Sequence, residues 1–192
     1  MITDINICST FLRPWEMGVV KAKAEEWDYP GRSNVREPGD RVGNLATDSL
    51  VGMIGQYAGT KHLLGAVAFD KFLVNRWHAA KHKFEGDGGH DIDCANIDFK
   101  TSLRRKEKKP LLEYSLVVRP EELHAGWIYV LILVDLFEQD NASVHIIGWA
   151  TDAMFPPPAT SGIFEGAHVL PARELNPVMP IRWDYFSRRP VQ

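Results

Sequence analysis

The sequence predicts an α/β domain built on a mixed central β-sheet flanked by helices. Three observations carry this. Apolar residues recur at helical spacing from about residue 44 to 83. The run Trp127 to Phe137 is apolar at almost every position, as in a strand covered on both faces. Shorter apolar segments between turn residues fill most of the remaining chain. A chain of 192 residues suits a single domain with a substantial core. Residues 1–43 read as an N-terminal extension with a surface loop, and 44–180 as the core.

Taken in order, Met1 to Leu12 supplies a strand or an edge segment, and Trp15 to Trp27 a short helix. Asp28 to Asn34 and Glu37 to Asp40 are turn chemistry, so an extended loop carrying Arg32, Arg36 and Arg41 follows. Asn44 or Thr47 caps the next helix, with Leu50, Val51, Ile54, Tyr57, Ala58 and Leu64 along one side. Gly52, Gly55 and Gly59 occupy another face, with Gln56 among them. Each glycine costs a helix about 1 kcal/mol relative to alanine. That face therefore either packs closely on a sheet or leaves room for a ligand. A second helix runs from Ala66 to about Lys83. Asp91 to Cys94 and Ile97 to Thr101 form a hairpin around Ala95-Asn96. Further strands are Leu112 to Val118, Trp127 to Phe137 as the central one, Val144 to Trp149, and Gly166 to Leu170 as the last. Short helices start near Pro120 and Thr151, and Pro171 to Leu175 is a helical turn.

The composition bounds the function. A hydrophobic share of 45% with 24% charged residues is that of a soluble globular protein. A net charge of −3 does not mark a nucleic-acid binder, so that function requires local basic patches. Cys8 and Cys94 make no disulfide framework, and no basic-then-apolar signal pattern opens the chain, which fits a reduced, cytoplasmic setting. Trp127 to Phe137 is too short to span a bilayer, so no membrane partner is expected.

The chemistry concentrates at residues 86–102. Side chains alternate across a strand, so Asp98 and Lys100 face one way while Ile97, Phe99 and Thr101 face the other. With Asp91 on the partner strand, two carboxylates and the Phe99 carbonyl offer hard oxygen ligands for Mg²⁺ or Mn²⁺. The Lys100 ammonium then stands beside a water and a phosphate. The glycine-rich Asp87-Gly-Gly-His-Asp91 segment turns the backbone tightly into the first strand. Directly after the second strand come Arg104, Arg105, Lys106, Lys108 and Lys109 against the single acid Glu107. Such a cationic loop neutralises phosphates and positions a nucleic-acid backbone. Lys71, Arg76, Lys81, Lys83, Arg182, Arg188 and Arg189 add charge elsewhere. His78 and His82 have the i, i+4 spacing of a zinc pair. Ala79 stands where a metalloprotease carries glutamate, and a solvated helix end explains them better.

Gly89-His90-Asp91-Ile92 followed by Ile97-Asp98-Phe99-Lys100-Thr101 resembles the core of the PD-(D/E)xK, or restriction-endonuclease-like, nuclease superfamily. Leu50 to Gln56 is similar to that family's first helix, and Trp127 to Asp135, Ile147 to Thr151 and Val169 to Leu175 to its later elements. The resemblance covers about residues 44–180. It implies a restriction-endonuclease-like core and Mg²⁺- or Mn²⁺-dependent hydrolysis of DNA. Asp91 and Asp98 would be metal ligands and Lys100 the catalytic lysine. Gln56 stands where many members carry a metal-linked glutamate. A neutral amide supplies no charge, which favours one metal over two. The partner implied is DNA, with a homodimer as the assembly to test for. Two rivals remain open: a weak or inactive nuclease fold that binds nucleic acid, and a partner-binding domain in which Asp98 and Lys100 form a surface pair. Replacing Asp98 or Lys100 is expected to abolish cleavage without disturbing the fold.

Overall fold

The computed structural model describes residues 7–27, 45–72, 96–104, 109–137, 141–178, 182–184 and 189–191. Among these, strand β1 (Cys8–Leu12) leads into helix α1 (Pro14–Trp27), and helix α2 (Leu45–Phe72) precedes β2 (Ile97–Leu103). Strands β3 (Ser115–Val118), β4 (Ile128–Phe137), β5 (Asn141–Thr151) and β6 (His168–Pro171) follow, then the short β7 (Arg182–Asp184) and β8 (Arg189–Val191). The loop at 28–43, the segment from Leu73 through Lys83 and the glycine-rich Gly86–His90 stretch lie outside the described residues. So do Asp91 to Ala95, the first strand of the expected hairpin.

The main sheet has the order β1-β5-β4-β2. Strand β2 runs parallel to β4, and the other two pairings are antiparallel. The fold is therefore mixed α/β with a mixed central sheet, as expected. Strand β4 is interior because both of its faces are apolar, and Val130 through Asp135 are all buried.

One face of the sheet carries the described helices. Val130, Ile132 and Val134 of β4, with Ala142, Val144 and Ile146 of β5, pack under Met17, Val20, Val51, Ile54, Tyr57 and Ala58. The glycine face of α2 lies directly on β2. A methyl at Gly55 would overlap the Thr101 side chain, and one at Gly59 would come within 2.8 Å of the Phe99 ring. Close packing on a sheet is thus what Gly55 and Gly59 serve, whereas a methyl at Gly52 would meet nothing within 4 Å. Gly65, at φ 71°, interrupts α2 just before Ala66, where a second helix was expected to begin. Glu16 ties the two helices together. It accepts from the Arg13 N–H at 2.9 Å and pairs with Lys61 at 2.6 Å.

The opposite face is covered by the β3–β6 pair and several single helical turns. Its core joins Tyr129, Leu131 and Leu133 of β4 to Leu116, Val118, Leu170, Ala172 and Leu175. A bulge in β5 makes this face continuous. Leu131 stands opposite Gly148 and Ile132 opposite Ile146, so Ile147 is the extra residue and turns into the second core. Gly148 leaves room for the returning chain, since a methyl there would stand 2.6 Å from the Asn176 carbonyl oxygen.

Several boundaries differ from the sequence reading. Leu111–Glu113 is a 3-10 turn, so the strand placed at Leu112 begins only at Ser115. The strand placed at Val144 to Trp149 extends from Asn141 to Thr151, because the bulge lets the ladder continue on both sides. The helices near Pro120 and Thr151 are single turns, Pro120–Glu122 and Asp152–Met154. The strand placed at Gly166 to Leu170 runs His168–Pro171 and is not the last, since β7 and β8 pair after it.

Candidate functional site

Strand β2 presents its side chains as alternation requires. Ile97 and Phe99 enter the helix-side core, and Thr101 meets α2 at Gly55. Asp98 and Lys100 stand in register with Tyr129 and Leu131, which face the other core. The two residues are thereby brought together on one face, with the Lys100 ammonium 2.8 Å from Asp98 Oδ2. Asp98 is buried and Lys100 partly so.

A third charge completes the cluster. Glu122 Oε2 accepts from the same Lys100 ammonium at 2.8 Å. This glutamate sits on the turn Pro120–Glu122, which follows β3 and begins with a proline whose fixed φ suits a first helical position. Tyr129 anchors the turn to β4. Its hydroxyl donates to the Glu122 carbonyl at 2.8 Å and accepts the His124 N–H at 2.7 Å. Sequence reasoning missed Glu122. Its only local signal is a pair of acids on a proline-started turn directly after a strand.

Other predicted residues fall elsewhere. Gln56 is partly buried on α2, which covers the Phe99–Thr101 face of β2, whereas Asp98 and Lys100 occupy the opposite face. The Phe99 ring packs toward Gly59, and its backbone lies in β2 between the two charged residues. Arg104 ends the strand with its guanidinium turned onto the sheet, donating to Asp135 Oδ2 at 2.8 Å and to the Lys109 carbonyl at 3.3 Å. Lys109 is exposed. Asp91, Arg105, Lys106, Lys108, His78 and His82 lie outside the described residues. Among the described residues, no helix is long and apolar enough to cross a membrane.

The charges of the cluster shape one another. Burial alone would lower the Lys100 pKa, but the charges and hydrogen bonds of Asp98 and Glu122 outweigh it and raise the ammonium above its ordinary value. Burial alone would raise Glu122, but Lys100 and the Arg119 N–H bring its carboxyl below the usual range. A depressed carboxyl contributes stability that is present above its unfolded pKa of about 4.3 and is lost as pH falls through the folded value. A raised amine contributes stability that is present below about 10.4 and is lost as pH rises through its folded value. The cluster is therefore intact across the neutral range. Glu122→Gln is expected to flatten the acid side of the stability profile, measured by urea unfolding at stepped pH. An unchanged acid limb would show that Glu122 is not coupled to Lys100.

Asp98 and Glu122 both reach one cationic centre, here the ammonium, and are donors of the hard oxygen type that a divalent cation takes. The donor set is small, because among the described residues no group of three or more His, Cys, Asp or Glu side chains is placed to hold a metal. The substitution expectation also changes. Asp98 is a buried acid joined to Lys100, so replacing either residue costs stability as well as any activity. Compared with known protein families, with curated proteins and with solved structures, the chain finds no match.

Proposed function

We propose that the Asp98–Lys100–Glu122 cluster is the hydrolytic centre of a Mg²⁺- or Mn²⁺-dependent deoxyribonuclease with a restriction-endonuclease-like core. The reading is supported above all by the shared reach of Asp98 and Glu122 toward one cation, on the strand where Asp98 and Lys100 lie two residues apart. A divalent ion bound there would polarise a phosphate oxygen and lower the pKa of its water. Asp98 and Glu122 supply its carboxylate oxygens, and Asp91 is the further acid expected from the sequence. Lys100, released from the two carboxylates, offsets the charge that develops on the phosphate. Exposed Lys109 and the neighbouring basic residues at 105–108 hold the DNA backbone.

The same contacts favour a second reading. Lys100 already bonds both acids, so its ammonium is occupied and is not presented to a phosphate. That suits a protein of nuclease-like arrangement that binds nucleic acid without cutting it. One experiment separates the readings. The purified chain is incubated with supercoiled, linear, branched and single-stranded DNA, with Mg²⁺, with Mn²⁺ or with chelator, and binding is followed at several salt concentrations. Metal-dependent cleavage supports the nuclease. Salt-sensitive binding without cleavage supports the second reading. Absence of both overturns the two together and leaves a partner-binding domain.

A further inference from the structure

We propose that Ser9 and His145, oriented by Asp135 and Arg104, form a separate hydrolytic site that takes small apolar or aromatic esters. The strand register assembles it. Ser9 of edge strand β1 stands directly opposite His145 of β5. His145 stands opposite Leu133 of β4, with Asp135 two positions further along β4. All three side chains lie on the face away from the helices, because the alternate positions Leu12, Val134, Val144 and Ile146 fill the helix-side core. The residues come from three strands and share no local motif.

The hydrogen bonds form a directed chain. Ser9 Oγ lies 2.8 Å from His145 Nδ1, and His145 Nε2 lies 3.2 Å from Asp135 Oδ2. Arg104 donates to that same carboxylate oxygen at 2.8 Å. A carboxylate only accepts, so the neutral ring carries its proton on Nε2. Nδ1 is left with a lone pair toward the serine hydroxyl, which donates to it. This is a nucleophile within reach of a base whose orientation is fixed by a third group. Constellations of this kind are recognised by geometry and role rather than by order in the chain. The chain runs from a buried carboxylate, 4% exposed, to an exposed hydroxyl. Its reactive end therefore meets solvent, where a substrate arrives.

The surroundings indicate the substrate class. Phe11 is 53% exposed and Phe137 47% exposed. Phe11 is in register with Ser143, itself opposite Asp135, and Phe137 lies two positions beyond Asp135. Strand alternation puts both rings on the face that carries Ser9 and His145. An apolar acyl or aryl group finds contact area there.

The chemistry balances without a further reagent. Ser9 Oγ bonds to the ester carbonyl carbon while its proton passes to His145 Nδ1. Asp135 stabilises the imidazolium. The adduct collapses as the carbon–oxygen bond to the alcohol breaks, and the departing oxygen takes the proton from Nδ1. A water then adds to the acyl carbon, giving its proton to His145, and the carboxylic acid leaves as Ser9 regains a proton. The net reaction is ester plus water to acid plus alcohol.

The test uses the full chain in the presence of chelator, so its result is independent of the metal-dependent reading. The native protein and the same protein in urea are treated with a fluorophosphonate probe, and the labelled peptide is identified by mass spectrometry. Ser9 is expected to label at least about 100-fold faster in the native protein, the scale of a positioned general base. His145→Gln is expected to remove that advantage, and Ser9→Ala to remove both the label and the turnover of 4-nitrophenyl butyrate. Ser9 is exposed, so its alanine variant retains the native thermal midpoint. Equal labelling in native and unfolded protein, unchanged labelling in His145→Gln, or undiminished ester turnover in Ser9→Ala would each overturn the proposal.

Discussion

Lys100→Met is expected to remove metal-dependent DNA cleavage and, in the same protein, to lower stability by about 2 kcal/mol. The stability figure lies between two limits. Breaking a fully buried pair costs about 3–5 kcal/mol, whereas an exposed pair is worth about 0–1 kcal/mol. The Lys100 side chain is 21% exposed, and its partners Asp98 and Glu122 are 11% and 38% exposed. Without the ammonium, two acids that both reach for one centre face each other across the site. The activity figure has a different origin. Loss of a group that stabilises developing charge costs about 10²–10³ in rate. The double substitution Asp98→Asn with Lys100→Met separates the two effects. It is expected to recover part of the stability, because the Asp98 charge goes together with the ammonium that balanced it, and none of the cleavage. Urea unfolding and a plasmid-nicking assay on the single and double variants check this. Cleavage retained in Lys100→Met would remove the residue from the reaction. A double variant no more stable than the single would show that the Asp98–Lys100 contact contributes nothing to folding.

Arg104→Met is expected to destabilise the fold by about 3 kcal/mol, because it removes the guanidinium that balances the buried Asp135 carboxylate and leaves uncharged or titratable neighbours such as His145 to face it. For a domain of this size that is roughly 6–12 °C in thermal midpoint. The side chains of Arg104 and Asp135 are 11% and 5% exposed, so solvent cannot replace the lost partner. Asp135→Leu in the Arg104→Met background is expected to restore much of the loss, since a buried pair is often replaceable by apolar residues of similar volume. The sequence alone placed Arg104 among the DNA-contacting residues. The two roles predict opposite patterns. A phosphate contact would lower DNA affinity and its salt dependence while leaving the thermal midpoint in place. A midpoint unmoved by Arg104→Met would therefore sink the structural role.

What the sequence discloses here is what is local. The Trp127–Phe137 run fixed the centre of the sheet because only a strand covered on both faces needs so many consecutive apolar residues. The α2 glycines implied either a close approach or room for a ligand, and for Gly55 and Gly59 it is a close approach, to Thr101 and Phe99. Asp98 and Lys100 share a face because alternation leaves no other choice. The misreadings arise where distant chain decides the outcome. The strand was placed from Val144, yet Asn141 to Ser143 pair with β4, and Ala142 and Ser143 with β1 as well. Ile147 and Gly148 both belong to an apolar stretch, and nothing in it marks the bulge. Glu122 reaches Lys100 across 22 residues, a contact set by how β3 stacks on the sheet. Ser9 and His145, 136 residues apart, meet only because β1 returns to the sheet edge. His145 gave no signal as a lone histidine in a strand.

The two cores become complete at different moments of synthesis. Every described partner in the helix-side core up to β5 has been made once Thr151 has emerged, apart from the later contribution of Val178. The other core needs Leu170, Ala172 and Leu175, and β3 cannot pair until β6 exists. The Gly148 notch is filled later still, when Asn176 bonds Trp149 in both directions, at 3.1 and 2.9 Å. A nascent chain can thus assemble a helix-backed sheet whose second face is bare and apolar. That interval exposes Tyr129, Leu131, Leu133 and Ile147 together, the kind of surface on which partly folded chains associate. The segment Leu170–Asn176 ends that exposure, so its arrival governs how long the growing chain is vulnerable.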